Sequence, residues 1–302
     1  MNLIKNNQFY VIAVCLSIVA FSLFSGCKKD SSEIPDPEIP AGPKLIVKLS
    51  VDSNQQRLGN TGQPTGIGAG NAAQSPVFNS ISAHYFELAP SAFTLLGEGE
   101  VLYHAEETGA GGSTAIDFSK SVIVAPGETF LEIPISSISP GTYEWVRLSL
   151  LYQNYDVKFS YNGISLSGTL ASFVGFNTYI QSYLVKNEIV NVNGNRLQGY
   201  WGFETEYSLN TGQAPPGATT VPNPLFNSSP IPAGSCVVTG QFENALIITG
   251  NETEDITLNM SLSVNKSFEW VDSNSNGLWD VQPGANENVV DMGLRGLIPK
   301  IE

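Results

Sequence analysis

Apolar and polar residues alternate through most of this chain. Lys44 to Val51 (KLIVKLSV), Ile81 to Leu88 (ISAHYFEL) and Thr142 to Leu150 (TYEWVRLSL) carry apolar side chains at period two, and Val146, Leu148 and Leu150 share one face. A period of two sets one face of a strand on a core and the other toward water. Further strands are predicted at Val101 to Ala105, Ser121 to Ala125, Phe130 to Ile135, Val157 to Tyr161, Tyr179 to Val185, Gln198 to Tyr207, Cys236 to Phe242, Ala245 to Thr249 and Ile256 to Val264. Turn formers separate them, among them Pro126-Gly127, Pro140-Gly141, Asn162-Gly163, Asn193-Gly194 and Gly250-Asn251. No segment joins a helix cap to a sustained 3.6-residue period. The pattern predicts an all-β protein whose short antiparallel strands pack as a sandwich or barrel.

One stretch departs from the alternation. Val11 to Phe24 is almost wholly apolar, follows Lys5 and ends in Ser25-Gly26-Cys27. It is short of the roughly 20 residues a membrane-spanning helix needs. Residues 11–27 resemble the signal peptide and lipobox of bacterial lipoproteins, with Phe24 where leucine is usual. The resemblance implies that residues 1–26 are removed and that Cys27 is acylated, tying the protein to a membrane leaflet outside the cytoplasm. Cys15 leaves with the signal, so Cys236 has no disulfide partner. Lys28-Lys29-Asp30-Ser31-Ser32-Glu33 resembles the Lys-plus-acid export signal of Bacteroidota lipoproteins, which implies the cell surface of the outer membrane. The alternative is a charged, solvated tether. Residues 27–43 include Pro35, Pro37, Pro40 and Pro43, so this lipidated N-terminus is a stiff tether rising about 3.1 Å per residue. The ectodomain is read as 44–302.

The chain has 302 residues, 42% of them hydrophobic, enough for one large core or two small ones. Its 28 acidic and 14 basic residues give a net charge of −14. Such a surface repels phosphates, so nucleic acid is not expected as a partner. Pro140-Gly141-Thr142-Tyr143 leads into an alternating strand and resembles a motif of bacterial Ig-like and transthyretin-like sandwiches. That resemblance implies an antiparallel β-sandwich of one of these kinds. Asn54 to Pro76 and Asn210 to Pro230 are rich in Gly, Pro and Asn and longer than most structureless connections, so they are expected to be mobile surface loops or the rim of a site. The second also offers a division into two packed subdomains near 195–225.

The sharpest chemical pattern is Asp272-Ser-Asn274-Ser-Asn276-Gly277-Leu278-Trp279-Asp280. Oxygen side chains at positions one, three, five and nine, with glycine at six, resemble the first part of an EF-hand calcium loop, the Leu278 carbonyl serving as position seven. Position twelve is Pro283, so the last ligand must come from Glu287, Asp291 or elsewhere. The competing reading is a plain β-hairpin whose tip holds Asn276-Gly277. His84 and His104, with Glu87, Glu106 and Glu107 near in sequence, would suit zinc if their strands were neighbours; half-buried or solvent-facing strand histidines are commoner. No nucleophile elbow, zinc-protease motif or phosphate-binding glycine loop is present, and no enzyme is expected. Trp201, Trp270 and Trp279 are candidates for stacking a ligand such as a glycan, against the more usual role of core packing. The chain therefore reads as an anchored envelope lipoprotein that binds a ligand or partner. A structural adhesin or fimbrial-type subunit is the alternative, and a carboxylate-pair glycoside hydrolase stands third.

Overall fold

The computed structural model describes residues 42–214 and 223–302. Cys27, the signal peptide and nearly all of the tether lie outside the described residues. From Ala41 onward the chain groups as one compact unit.

Among the described residues, eighteen strands carry the fold. The first seven are β1 (Lys44–Asp52), β2 (Asn71–Gln74), β3 (Val77–Ala89), β4 (Glu100–His104), β5 (Glu107–Thr108), β6 (Ala115–Asp117) and β7 (Thr129–Pro134). Next come β8 (Gly141–Tyr161), β9 (Ile164–Phe173), β10 (Asn177–Leu184), β11 (Ile189–Leu197), β12 (Tyr200–Glu204) and β13 (Leu209–Gln213). The last five are β14 (Cys236–Ile248), β15 (Ile256–Ser263), β16 (Phe268–Val271), β17 (Val289–Met292) and β18 (Leu297–Ile301). Among the described residues the only helical pieces are single 3₁₀ turns at Phe118–Lys120, Ile135–Ser137 and Phe226–Ser228.

The 21-residue strand β8 organises the main sheet. β3 pairs along one of its edges, while β14 and β9 share the other, β14 against 141–150 and β9 against 152–161. Strands β12 and β13 extend the sheet beyond β9, and β4 closes its other side. Within 195–225, β12 and β13 belong to this sheet, whereas β11, which ends at Leu197, does not. A second sheet has the order β7-β1-β15-β18, a third β11-β10-β6-β5, and a fourth β17-β16-β2. Pairing is antiparallel as the alternation predicts, except that β1 runs parallel to β15 and β6 parallel to β10.

The sandwich forms because each strand's apolar phase meets another's. Leu45, Val47 and Leu49 of β1 and Leu258, Met260 and Leu262 of β15 are fully buried, and they pack on Val146, Leu148 and Leu150 of β8. Each side chain of this kind contributes about 1.5–3 kcal/mol by leaving water. The opposite face of the main sheet covers a second core, in which Leu151, Tyr152 and Phe173 meet Phe118, Ile180 and Tyr183. A small third core joins Tyr85 and Val237 to Leu96 and Ile231, from the segments that follow β3 and precede β14.

A single bulge couples these cores to the site. Ala83 of β3 pairs Leu150 of β8 while Ser82 pairs Tyr152, which leaves Leu151 without a partner on that edge. The extra residue switches the alternation, so odd-numbered Tyr155, Val157 and Phe159 continue the face begun by even-numbered Val146, Leu148 and Leu150.

Several sequence expectations shift here. Ser121 to Ala125 forms no strand; its one ladder contact is Val124 with Ile81, whose N–H donates to Val124 O at 2.9 Å. Asn193-Gly194 is no hairpin turn. Asn193 takes φ +47 inside β11, beside the irregularity in the β10–β11 ladder. The loop after β1 is tied down: Gln55 exchanges hydrogen bonds with Ser261, and Arg57 donates to Glu269 Oε2 at 2.8 Å and to the Lys266 carbonyl. Asn210 to Gln213 of the second long loop is strand β13 rather than loop.

Candidate functional site

β12 reads Tyr-Trp-Gly-Phe-Glu, and its alternation gives the two faces of the sheet different tasks. Tyr200 joins the second core, while Trp201 and Phe203 point to the other side. Each of these two rings lies over a glycine of the neighbouring strand. A Cβ on Gly212 of β13 would strike the Trp201 indole, and one on Gly168 of β9 would strike the Phe203 ring. Trp201 and Gly212 are directly opposed in the ladder. Only glycine lets a large ring lie down across the adjacent strand, and a ring so placed turns its other face away from the sheet.

That exposed aromatic face borders a cleft of about 930 Å³, near the upper end of the range for small-molecule sites. The tip of the β8–β9 hairpin, the β12–β13 hairpin and the segment 279–289 form its walls. Its floor is aromatic: Trp279 stands 5.6 Å from Phe203, 6.3 Å from Phe159 and 4.9 Å from Phe268, mostly edge to face. The rim is neutral and polar, with exposed Asn210, Gln213, Asn286 and Asn288 beside Tyr161 and Tyr207. Among the described residues, Trp201 Nε1 has no acceptor and neither rim amide of Asn286 and Asn288 has a partner.

Segment 272–287 runs into that wall, and here the calcium pattern is found. Both oxygens of the Asp272 carboxylate accept backbone N–H groups, from Asn276 at 3.1 Å and Gly277 at 2.9 Å. Asp280, 3% exposed, accepts at Oδ2 from Asn274 Nδ2 at 2.7 Å and Asn276 Nδ2 at 2.8 Å. The Ser160 hydroxyl nearby and the bonds from Asn274 and Asn276 hold the Asp280 carboxyl below the usual carboxylate range. Glu287 is equally buried and spans the loop, taking Ser273 N–H at 2.7 Å and Asp280 N–H at 3.0 Å on its two oxygens. The Leu278 carbonyl accepts from Trp270 Nε1 at 3.0 Å. All six residues therefore meet in one loop, as the spacing requires. A cation fits this set only if both asparagine amides turn their oxygens inward and give up Asp280. Among the described residues, no three His, Cys, Asp or Glu side chains form a group able to hold a metal.

The tryptophans separate. Trp201 and Trp279 line the cleft, whereas Trp270 is 2% exposed and packs in the main core on Phe268. The histidine strands are neighbours, since Tyr85 pairs His104. Their side chains do not converge on a shared carboxylate. His84 is buried against Ser149, while His104 sits at the surface 3.8 Å from Glu107. Glu87 is committed elsewhere, taking Gly97 and Gly99 N–H and pairing with Arg147. Phe159, Phe203, Tyr207 and the asparagines 286 and 288 are site residues that the spacing of the sequence did not single out. For Phe203 the signal is the glycine beneath its ring, and it appears only once the neighbouring strands are placed; the others carry no such signal.

The class defined by fold and site is an all-β sandwich with an aromatic-floored cleft at one end of its main sheet. Compared with known proteins, the chain matches no family model, no curated protein and no solved structure.

Proposed function

We propose that the protein is a ligand-binding module of the cell envelope and that the cleft around Trp201, Phe203 and Trp279 is its binding site. The observation that carries this reading is the pair of glycines, Gly212 and Gly168, that let two aromatic rings lie flat and open toward a 930 Å³ cleft. Core aromatics have no need of such a surface. Binding is favoured over hydrolysis because Glu287 is the only carboxylate among the lining residues and both its oxygens already accept backbone bonds; a carboxylate-pair mechanism needs a second acid across the substrate. The lipobox-like Ser25-Gly26-Cys27 supports attachment of this module to a membrane through Cys27, at the outer membrane if Lys28-Lys29-Asp30 serves as the export signal. No helix among the described residues is long and apolar enough to cross a membrane.

The test is a thermal-shift screen of small glycans, lipids and peptides on the wild type and on Ile164→Trp, which fills the mouth of the cleft from an exposed position. Ligands that stabilise the wild type should lose their effect in the variant. Equal stabilisation of both would place binding elsewhere. Cys27→Ala should move the protein out of the membrane fraction, and a variant that stays membrane-bound with normal cleavage refutes the anchor.

A further inference from the structure

Resting on that reading of the cleft, we infer that its ligand is an uncharged oligosaccharide, stacked on Trp201 and bonded at its hydroxyls by the rim amides. Three observations lead to this class. The first is charge. Apart from the tyrosine phenols, the one ionisable lining group is Glu287, which is 3% exposed and engaged at both oxygens. An anionic ligand would meet no Lys, Arg or His among the lining residues and a chain of net charge −14. A cationic ligand would meet no free carboxylate.

The second is the flat ring itself. A pyranose has an apolar face of C–H groups and an equatorial belt of hydroxyls. A planar aromatic surface covers the face and leaves the belt in reach of side groups. Trp201, laid across Gly212, provides that surface, and Asn286 and Asn288 stand at the rim with their amides unpartnered. An amide both donates and accepts, as a hydroxyl does.

The third observation weighs against an acyl chain, the other occupant an apolar floor would suit. Covering Trp201 Nε1 with hydrocarbon strands a donor that has no acceptor among the described residues, which costs about 1–3 kcal/mol. Burying the exposed rim amides would add to that. A sugar hydroxyl removes the penalty by accepting the indole N–H.

The experiment is a tryptophan-fluorescence titration of the full chain reconstituted in phosphatidylcholine vesicles. The probes are neutral gluco-, xylo- and manno-hexasaccharides, a hexagalacturonate and a fluorescent fatty acid. Saturable binding of at least one neutral hexasaccharide is expected, weakened about tenfold or more by Trp201→Ala. The double variant Asn286→Ala/Asn288→Ala is altered only at exposed positions that hold nothing in the fold, so it keeps the test valid if Trp201→Ala misfolds; it should weaken binding severalfold. Equal binding of hexagalacturonate overturns the uncharged class. Binding of the fatty acid alone, lost in Trp201→Ala, overturns the oligosaccharide and leaves the cleft reading standing. No titration by any probe overturns both.

Discussion

Lowering the pH from 7 to 5 should destabilise this protein through one residue, His84. Its ring is fully buried on β3, with Phe176 edge-on at 5.7 Å. Nε2 lies 2.7 Å from Ser149 Oγ, which donates in turn to the Cys236 carbonyl at 3.3 Å. This chain of donors assigns the ring proton to Nε2 and leaves Nδ1 bare, with no partner. A second proton would sit on Nδ1 without an acceptor, in a site closed to water. Burial, with His104 nearby, therefore lowers the pKa of His84 to about 3 from 6.5. The sign follows from proton linkage. The folded state binds fewer protons than the unfolded chain between these two values, so this stabilisation is complete above pH 6.5 and is lost progressively as the pH falls toward 3. Between pH 7 and 5 the loss is about 2 kcal/mol. Urea unfolding at both pH values should show that difference in the wild type. His84→Phe, whatever its own cost, should lose most of it, because nothing at that position then takes up a proton on unfolding. Equal pH dependence in the two proteins, within about 0.5 kcal/mol, would refute the assignment.

The buried Glu269 carboxylate accepts from Arg57 Nη2 at 2.8 Å, Gly68 N–H at 2.8 Å and Asn71 Nδ2 at 2.7 Å; Glu269→Ala removes the acceptor of all three, leaves the Arg57 charge without its counter-ion and should cost about 3–5 kcal/mol, read as a fall in melting temperature of roughly 6–15 °C. Burial alone would raise its pKa, but those hydrogen bonds and the Arg57 charge outweigh it and hold the carboxyl low; its contribution is therefore present above the usual carboxylate range and lost as pH falls below it, and Glu269→Gln should flatten the acid limb of the stability curve. Burial pushes the Cys236 thiol up to about 12, so a thiol reagent at neutral pH should label Cys236 much faster once the protein unfolds. If the 272–287 loop takes calcium, millimolar calcium should raise the melting point over that in EDTA by a few degrees at most, consistent with about 1 kcal/mol at fivefold excess over Kd; Asp280→Ala should abolish the increment, and identical wild-type melting in both buffers sinks the calcium proposal.

The class of fold was legible because burial writes itself into a period of two. β1 and β15 each carry an alternation that one core face explains, while β3 is buried on both faces from Ile81 to Ala89, and the turns at Pro140-Gly141 and Asn162-Gly163 fall where the strands end or reverse. What misled was local chemistry answered by a distant partner. Asn193-Gly194 favours a two-residue turn in isolation, yet the β10–β11 ladder accommodates it as an irregularity at lower cost than breaking the strand. Asn54 to Pro76 has the composition of a mobile loop. It is ordered by Arg57 reaching Glu269, more than 200 residues along the chain, which no local signal records. The parallel pairing of β1 with β15 is hidden for the same reason, since a strand's sequence does not state which edge it will meet.

The site was less legible than the fold, and the difference is one of register. The calcium-like spacing stood out because its residues are neighbours in sequence, and they do share one loop. Trp201 and Trp279 could be named only as members of a set that also held Trp270, and aromatic character alone does not separate a ring open to a cleft from a ring packed in a core. What separates them is the residue across the ladder. Trp201 opposes Gly212, and Phe203 overlies Gly168, so both rings lie over a glycine and line the cleft. Trp270 opposes Ala72 on one side and Val289 on the other and is buried to 2% exposure. A glycine in a strand interior weakens that strand, and two of them beneath aromatic rings, Gly212 in register with Trp201 and Gly168 beside the Phe203 ring, make sense where a surface is being shaped. Substituting either glycine by valine should tilt the ring above it, so a loss of ligand binding that exceeds the loss of stability would mark these positions as part of the site and not merely of the sheet.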